Sequence, residues 1–154
     1  MSSVVHNTFV LERSYPKPPE DVFAAFADPG KKRRWFAESR GHEVVAFDQD
    51  FRLGGAERLE YRMSQDTPFP GAALVNEGRY QDIVPNRRIV TASTMDLADR
   101  RISATLVTFE FVPTATGTDL ICTHQGTFFE GADGPEMRQQ GWKNLFDRLE
   151  KTLA

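Results

Sequence analysis

The chain has 154 residues and a mass of 17.4 kDa, the size of one domain built on a single core. Its 40% hydrophobic and 27% charged residues, with 12 Phe, exclude disorder, and no run of about 18 apolar residues offers a membrane span. Nineteen basic against 22 acidic residues give a net charge of −3, which speaks against a nucleic-acid partner, and the lone Cys122 excludes an internal disulfide or a cysteine zinc cluster. The opening MSSVVHNTFVLERSY has no basic start followed by an apolar stretch, so a signal peptide is not expected and a cytoplasmic location is. Residues 8–14 alternate as a first strand, which Pro16, Pro18 and Pro19 end. Glu20 and Asp21 then suit a helix N-terminus, with Val22, Phe23 and Phe26 as its apolar stripe. Asp28-Pro29 restarts the chain as a cap and first-turn proline, predicting a second short helix through Lys31 to Phe36.

From about residue 42 to 128 the pattern is strand, turn, strand. The segments are roughly 42–48, 56–63, 73–84, 87–95, 101–112 and 118–128, punctuated by Gly54-Gly55, Pro68-Phe69-Pro70-Gly71, Pro85-Asn86, Ala98-Asp99 and Thr116-Gly117. Connections this short join antiparallel neighbours, so the middle is a meander of about six strands. The period then changes. Asp133-Gly134-Pro135-Glu136 supplies a cap, a proline and an acidic first turn. Met137, Trp142, Leu145, Phe146, Leu149 and Leu153 follow helical spacing, with Arg138, Lys143, Asp147 and Lys151 largely on other faces. A helix of about 20 residues is about 30 Å long, and the sheet is the only surface large enough to hold it. The chain is therefore an α+β domain over residues 1–154.

This order and several local phrases resemble the START-like (SRPBCC) superfamily and, within it, the branch named after the activator of the ninety-kDa heat-shock protein ATPase. The phrases are Leu-Glu-Arg at 11–13 with Pro-Pro-Glu-Asp-Val-Phe-Ala-Ala-Phe-Ala-Asp-Pro at 18–29, and Arg-Trp-Phe at 34–36. Further on come Phe51-Arg52-Leu53-Gly54-Gly55, Gly78 through Pro85 with Arg88-Ile89-Val90, Gly117-Thr118-Asp119-Leu120, and Gly141-Trp142 with Leu145 and Arg148-Leu149. The resemblance implies the helix-grip fold: a curved antiparallel sheet of about six to seven strands wrapped on a long C-terminal helix, with two short helices after strand 1. It also implies an apolar cavity between sheet and helix. The superfamily contains lipid binders, polyketide cyclases and co-chaperone modules, so fold alone does not settle activity.

Register decides which residues face that cavity. Matching apolar faces puts Phe109 and Phe111 inside with Leu120, Cys122 and His124, whereas the opposite register turns His124 outward. Titrating near neutrality, His124 suits a general base, but no carboxylate stands at a spacing that guarantees an orienting partner. A hydrogen-bonded inner histidine is the simpler reading. His6 and His42 lie near strand starts and read as surface residues, and three scattered histidines carry no metal signature. Cys122 reads as a small hydrophobe, since nothing nearby would lower its pKa. No nucleophile elbow, Walker loop or dinucleotide fingerprint occurs, and Gly54-Gly55 between strands reads as a turn or bulge. Around Leu59, Tyr61 and Met63, the alternating Arg58, Glu60 and Arg62 read as a solvated outer face. Arg13 shares a face with Phe9 and Leu11, where it anchors the first helix through a carboxylate or reaches an acidic ligand; the structural use is preferred.

The candidate lining is Trp35, Tyr61, Tyr80, Met95, Phe109, Cys122, His124, Phe128, Trp142 and Phe146, an apolar set with a few polar handles. The leading expectation is binding of a hydrophobic, aromatic small molecule, with no cofactor and no metal. The enzyme rival is a polyketide cyclase or dehydratase using His124, Tyr61 or Arg13 for acid–base work. The interaction rival is a chaperone-associated module; the eukaryotic activators carry an additional N-terminal domain, and a first strand at about residue 8 speaks against a chaperone partner. A homodimer stays open.

Overall fold

The computed structural model describes residues 3–38 and 41–154. In chain order it contains β1 (Val5–Tyr15), α1 (Pro19–Ala27), α2 (Pro29–Lys32) running into a π-helical turn (Arg33–Ala37), β2 (Glu43–Gln49), β3 (Ala56–Arg62), β4 (Ala73–Val84), β5 (Arg88–Leu97), β6 (Arg100–Pro113), β7 (Thr118–Phe128) and α3 (Pro135–Leu153). Strands β2 to β7 form an antiparallel meander, and β1 returns to pair with β7, giving the order β1-β7-β6-β5-β4-β3-β2. Bulges in the β2–β3, β4–β5 and β5–β6 pairings help to curve the sheet around α3. This is the α+β helix-grip arrangement that the resemblance implied, with seven strands.

Local chemistry accounts for the breaks. Asp28 accepts a hydrogen bond from the Lys31 backbone N–H through Oδ1 at 3.1 Å, capping α2 behind Pro29. Ala98 and Asp99, both with positive φ, make the tight turn between β5 and β6. The cap of α3 departs from the sequence expectation. Its N-cap residue is Gly134, with no side-chain cap bond, and Asp133 instead binds the Arg138 side chain.

The register pairs Val107 with His124, Phe109 with Cys122 and Phe111 with Leu120, and all six are buried. Here the core is aromatic: Phe26 meets Trp35, Phe109 and Phe111 at centroid distances of 4.9, 4.9 and 5.2 Å. Two residues of α3 depart from the expected division of faces. Met137 is 69% exposed, while Arg138, expected on another face, is buried. Arg13 ties β1 to α3 rather than to α1, through Asp147 at 2.7 Å and the Lys143 carbonyl at 3.2 Å. Among the described residues, no helix is long and apolar enough to cross a membrane.

Candidate ligand cavity

Successive rungs across the inner face of the sheet change character along α3. One rung reads Leu11, Cys122, Phe109, Ile89 and Ile83, from β1 to β4, and is apolar throughout. The next reads Phe9, His124, Val107, Thr91 and Tyr80. The one after that reads Gly126, Thr105, Ser93 and Gly78, and ends on Glu57 of β3. Phe128 and His124 rings pack against Gly126 and the Ser93 hydroxyl against Gly78, but Ser93 and Thr105 are too short to reach the helix above them. The space left under the first turns of α3 is a cavity of about 610 Å³.

The floor of this cavity includes Ser93 and Thr105, and its roof comes from Arg138, Gly141, Trp142 and Leu145. Lys32 and Phe36, four residues apart across the π-helical turn, form one side wall. The wide turn also buries Trp35, which points away and donates its indole N–H to the Ala25 carbonyl at 2.8 Å. Pro68, Phe69 and Met137 belong to the lining yet are exposed, so the opening lies between the β3–β4 loop and the start of α3.

Two ion pairs sit in the walls. The Lys32 ammonium donates to Glu57 Oε1 at 2.5 Å, and the Tyr80 hydroxyl donates to the same oxygen at 2.6 Å. Gln49 closes this network, donating through Nε2 to the Tyr80 oxygen at 2.8 Å and to the Phe26 carbonyl at 2.7 Å. Burial, followed by the Glu57 carboxylate, pushes the Tyr80 hydroxyl's pKa upward. On the roof, Arg138 donates from Nε and Nη2 to the two oxygens of Asp133, each at 2.8 Å, and from Nη2 to the Ser103 hydroxyl at 3.0 Å. Its guanidinium lies 5.0 Å from the centre of the Phe128 ring.

His124 stacks on Phe9 with ring centroids 4.5 Å apart and planes 7° from parallel. Burial, reinforced by the Arg138 charge, pulls its pKa down to about 4, so the imidazole is neutral near pH 7. Its Nδ1 is buried with no hydrogen-bond partner. A neutral ring of this kind is a weaker base than one poised near neutrality.

Tyr61, Met95, Phe109, His124 and Trp142 line the cavity together. Trp35, Tyr80, Cys122, Phe128 and Phe146 stand in the core around it rather than in its wall. Tyr80 is held behind Glu57, Cys122 lies in the apolar rung, and Phe128 is covered by Arg138. Phe146 sits beneath Tyr15, whose hydroxyl donates to its carbonyl at 2.9 Å. Burial pushes the Cys122 thiol up to about 12, which keeps it protonated. His42 corrects the surface reading: half-buried at the rim, it stacks on Tyr61 at 4.8 Å and accepts the Ser64 N–H at Nδ1. Lys32, Phe36, Glu57 and Arg138 were not among the candidates. Signals for two of them exist: Glu57 alternates in phase with Leu59 and Tyr61, and Arg138 precedes Trp142 by four and Leu145 by seven residues. Among the described residues, no group of three or more His, Cys, Asp or Glu side chains is placed to hold a metal ion.

Comparison with known proteins agrees with this architecture. An uncharacterised protein from Rhizobium leguminosarum is similar at 36% identity, covering 98% of this chain and 96% of that one, with a TM-score of 0.90. The Mll3558 protein from Rhizobium loti is similar at 38% identity, covering 97% and 99%, with a TM-score of 0.87. An AHSA1-like protein from Aeromonas hydrophila, at 19% identity over 96% and 92% of the two chains and a TM-score of 0.67, shares the fold. A search of curated proteins finds none that matches. The family model described as "Activator of Hsp90 ATPase homolog 1-like protein" matches residues 16–154, nearly the whole domain, and the chain belongs to that family.

Proposed function

We propose that the protein binds a hydrophobic small molecule in the cavity between the sheet and the first half of α3. The observation that carries this reading is the pair of short side chains Ser93 and Thr105 beneath the helix, in the floor of a cavity of about 610 Å³. Ligand pockets typically measure about 300–1,000 Å³ and are mostly apolar with a few polar groups that fix orientation. Phe36, Leu74, Leu97, Val107, Phe109 and Trp142 supply the apolar contact, and Ser93, Thr105 and His124 the handles. The neutral His124 favours this reading over a cyclase or dehydratase, for which a base titrating closer to the working pH would serve better.

Nile red, an uncharged dye, tests the proposal by fluorescence titration. The folded protein is expected to saturate at about one dye per chain, and Thr105→Trp, which puts a large ring on the floor, to abolish the signal without loss of fold. No dye binding by the parent, or undiminished binding by folded Thr105→Trp, overturns it.

A further inference from the structure

We infer that the cavity selects an uncharged ligand carrying hydroxyl or carbonyl groups over carboxylates and amines of the same shape. This rests on the binding reading above and adds a chemical class to it. The charges in the wall are already matched one to one. Lys32 faces Glu57, and Arg138 faces Asp133 through both carboxylate oxygens. A ligand carboxylate entering this space must draw Arg138 from Asp133, and a ligand ammonium must displace Lys32 from an oxygen it shares with Tyr80. The second exchange leaves the buried Lys32 ammonium without a counter-charge, and the first breaks a two-point pair and leaves Asp133, 27% exposed, unpaired at the wall. His124, neutral near pH 7, supplies no compensating charge.

Hydrogen-bonding capacity that remains uncommitted is of the neutral kind. The Ser93 and Thr105 hydroxyls lie side by side on the floor as a cross-strand pair, each able to donate and to accept. His124, also in the lining, lies diagonally across from Thr105 on the neighbouring strand. Hydroxyl and carbonyl groups satisfy such a set without disturbing either ion pair.

Nile red displacement at pH 7 by three anthracenes of one skeleton tests this: 9-anthracenemethanol, 9-anthracenecarboxylate and protonated 9-(methylaminomethyl)anthracene. The alcohol is expected to displace the dye at a concentration at least about tenfold below that needed for either ion, a gap of about 1.4 kcal/mol or more. Asp133→Asn leaves Arg138 without its counter-charge and is expected to raise carboxylate affinity relative to the alcohol by at least about tenfold. Equal or tighter binding of either ion by the parent overturns the charge selection while Nile red binding stands. An unchanged carboxylate-to-alcohol ratio in folded Asp133→Asn overturns it as well. Failure of Nile red to bind the parent overturns the binding reading, and this inference with it.

Discussion

Gly78 and Ser93 face each other across β4 and β5 so closely that a β-carbon at position 78 would stand 2.4 Å from the Ser93 hydroxyl oxygen. It would also stand 3.0 Å from the Ala92 carbonyl oxygen, which belongs to backbone and cannot rotate away. Gly78→Ala is therefore expected to lower stability by about 1–3 kcal/mol, the usual cost of overpacking. Ser93→Gly in the same chain should recover part of the loss. A Gly78→Ala variant that melts at the parental temperature would show that the two strands relax apart freely.

The Lys32–Glu57 pair predicts a non-additive mutant cycle. Lys32→Met removes the cation and leaves the buried carboxylate with Tyr80 alone, a change expected to cost about 3–5 kcal/mol. Lys32→Met with Glu57→Gln keeps an acceptor for the Tyr80 hydroxyl and removes the orphaned charge. The double variant should be more stable than Lys32→Met in urea unfolding. Additive losses would mean that the two side chains act independently.

His124 sets a pH dependence of known sign. Its folded pKa of about 4 lies below the ordinary value of 6.5, so between those values the unfolded chain binds more protons. Stability from this group is present above about pH 6.5 and is lost as the pH falls towards 4. The full swing is about 3 kcal/mol, at about 1.4 kcal/mol per pH unit. His124→Gln should lack this component, so the stability difference between parent and variant should shrink on acidification. A constant difference from pH 7 to 4.5 would place the imidazole in contact with water.

Along α3, Phe146 and Trp142 are one turn apart but do different work. Phe146 is 1% exposed in the core, whereas Trp142 is half-buried against the cavity. Phe146→Ala is expected to cost about 3–5 kcal/mol, with Trp142→Ala costing less because its site is already open on one side. Thermal melts of the two variants decide it; an equal or larger loss at Trp142 would mean that the space beside it is filled.

Element order was legible in the sequence because it rests on local signals. Prolines at 16, 18 and 19, the Asp28-Pro29 pair and the Ala98-Asp99 turn mark their boundaries in the residues themselves. So did the inward face of β7, where Leu120, Cys122 and His124 match the apolar set of β6. The ionic part of the cavity was not legible. Lys32, Glu57 and Arg138 carry charge, which reads as solvated, and only tertiary pairing over 25 residues brings Lys32 to Glu57. Asp133 was read as a helix cap from its place before Gly134-Pro135, while its actual partner is the side chain of Arg138. The π-helical turn was not legible either: the Asp28-Pro29 signal predicts an ordinary short helix through Lys31 to Phe36, and nothing in Arg33 to Ala37 marks the wider turn.

The pairing of β1 with β7 has a consequence for how the chain reaches its native state. The partners Tyr15 and Thr118, like Val5 and Phe128, are separated by more than a hundred residues of intervening sequence. During synthesis at about 5–20 residues per second, β1 waits about 5–20 s before β7 exists. The hairpins from β2 to β7 close over short distances and assemble as they emerge. The first strand is among the last pieces to dock, with Phe9 and Leu11 in the open meanwhile, and α3 then clamps it through Asp147 on Arg13 and the Phe146 carbonyl under Tyr15. Closure over so long a loop places refolding in the slow, millisecond-to-second range typical of about this degree of non-local pairing.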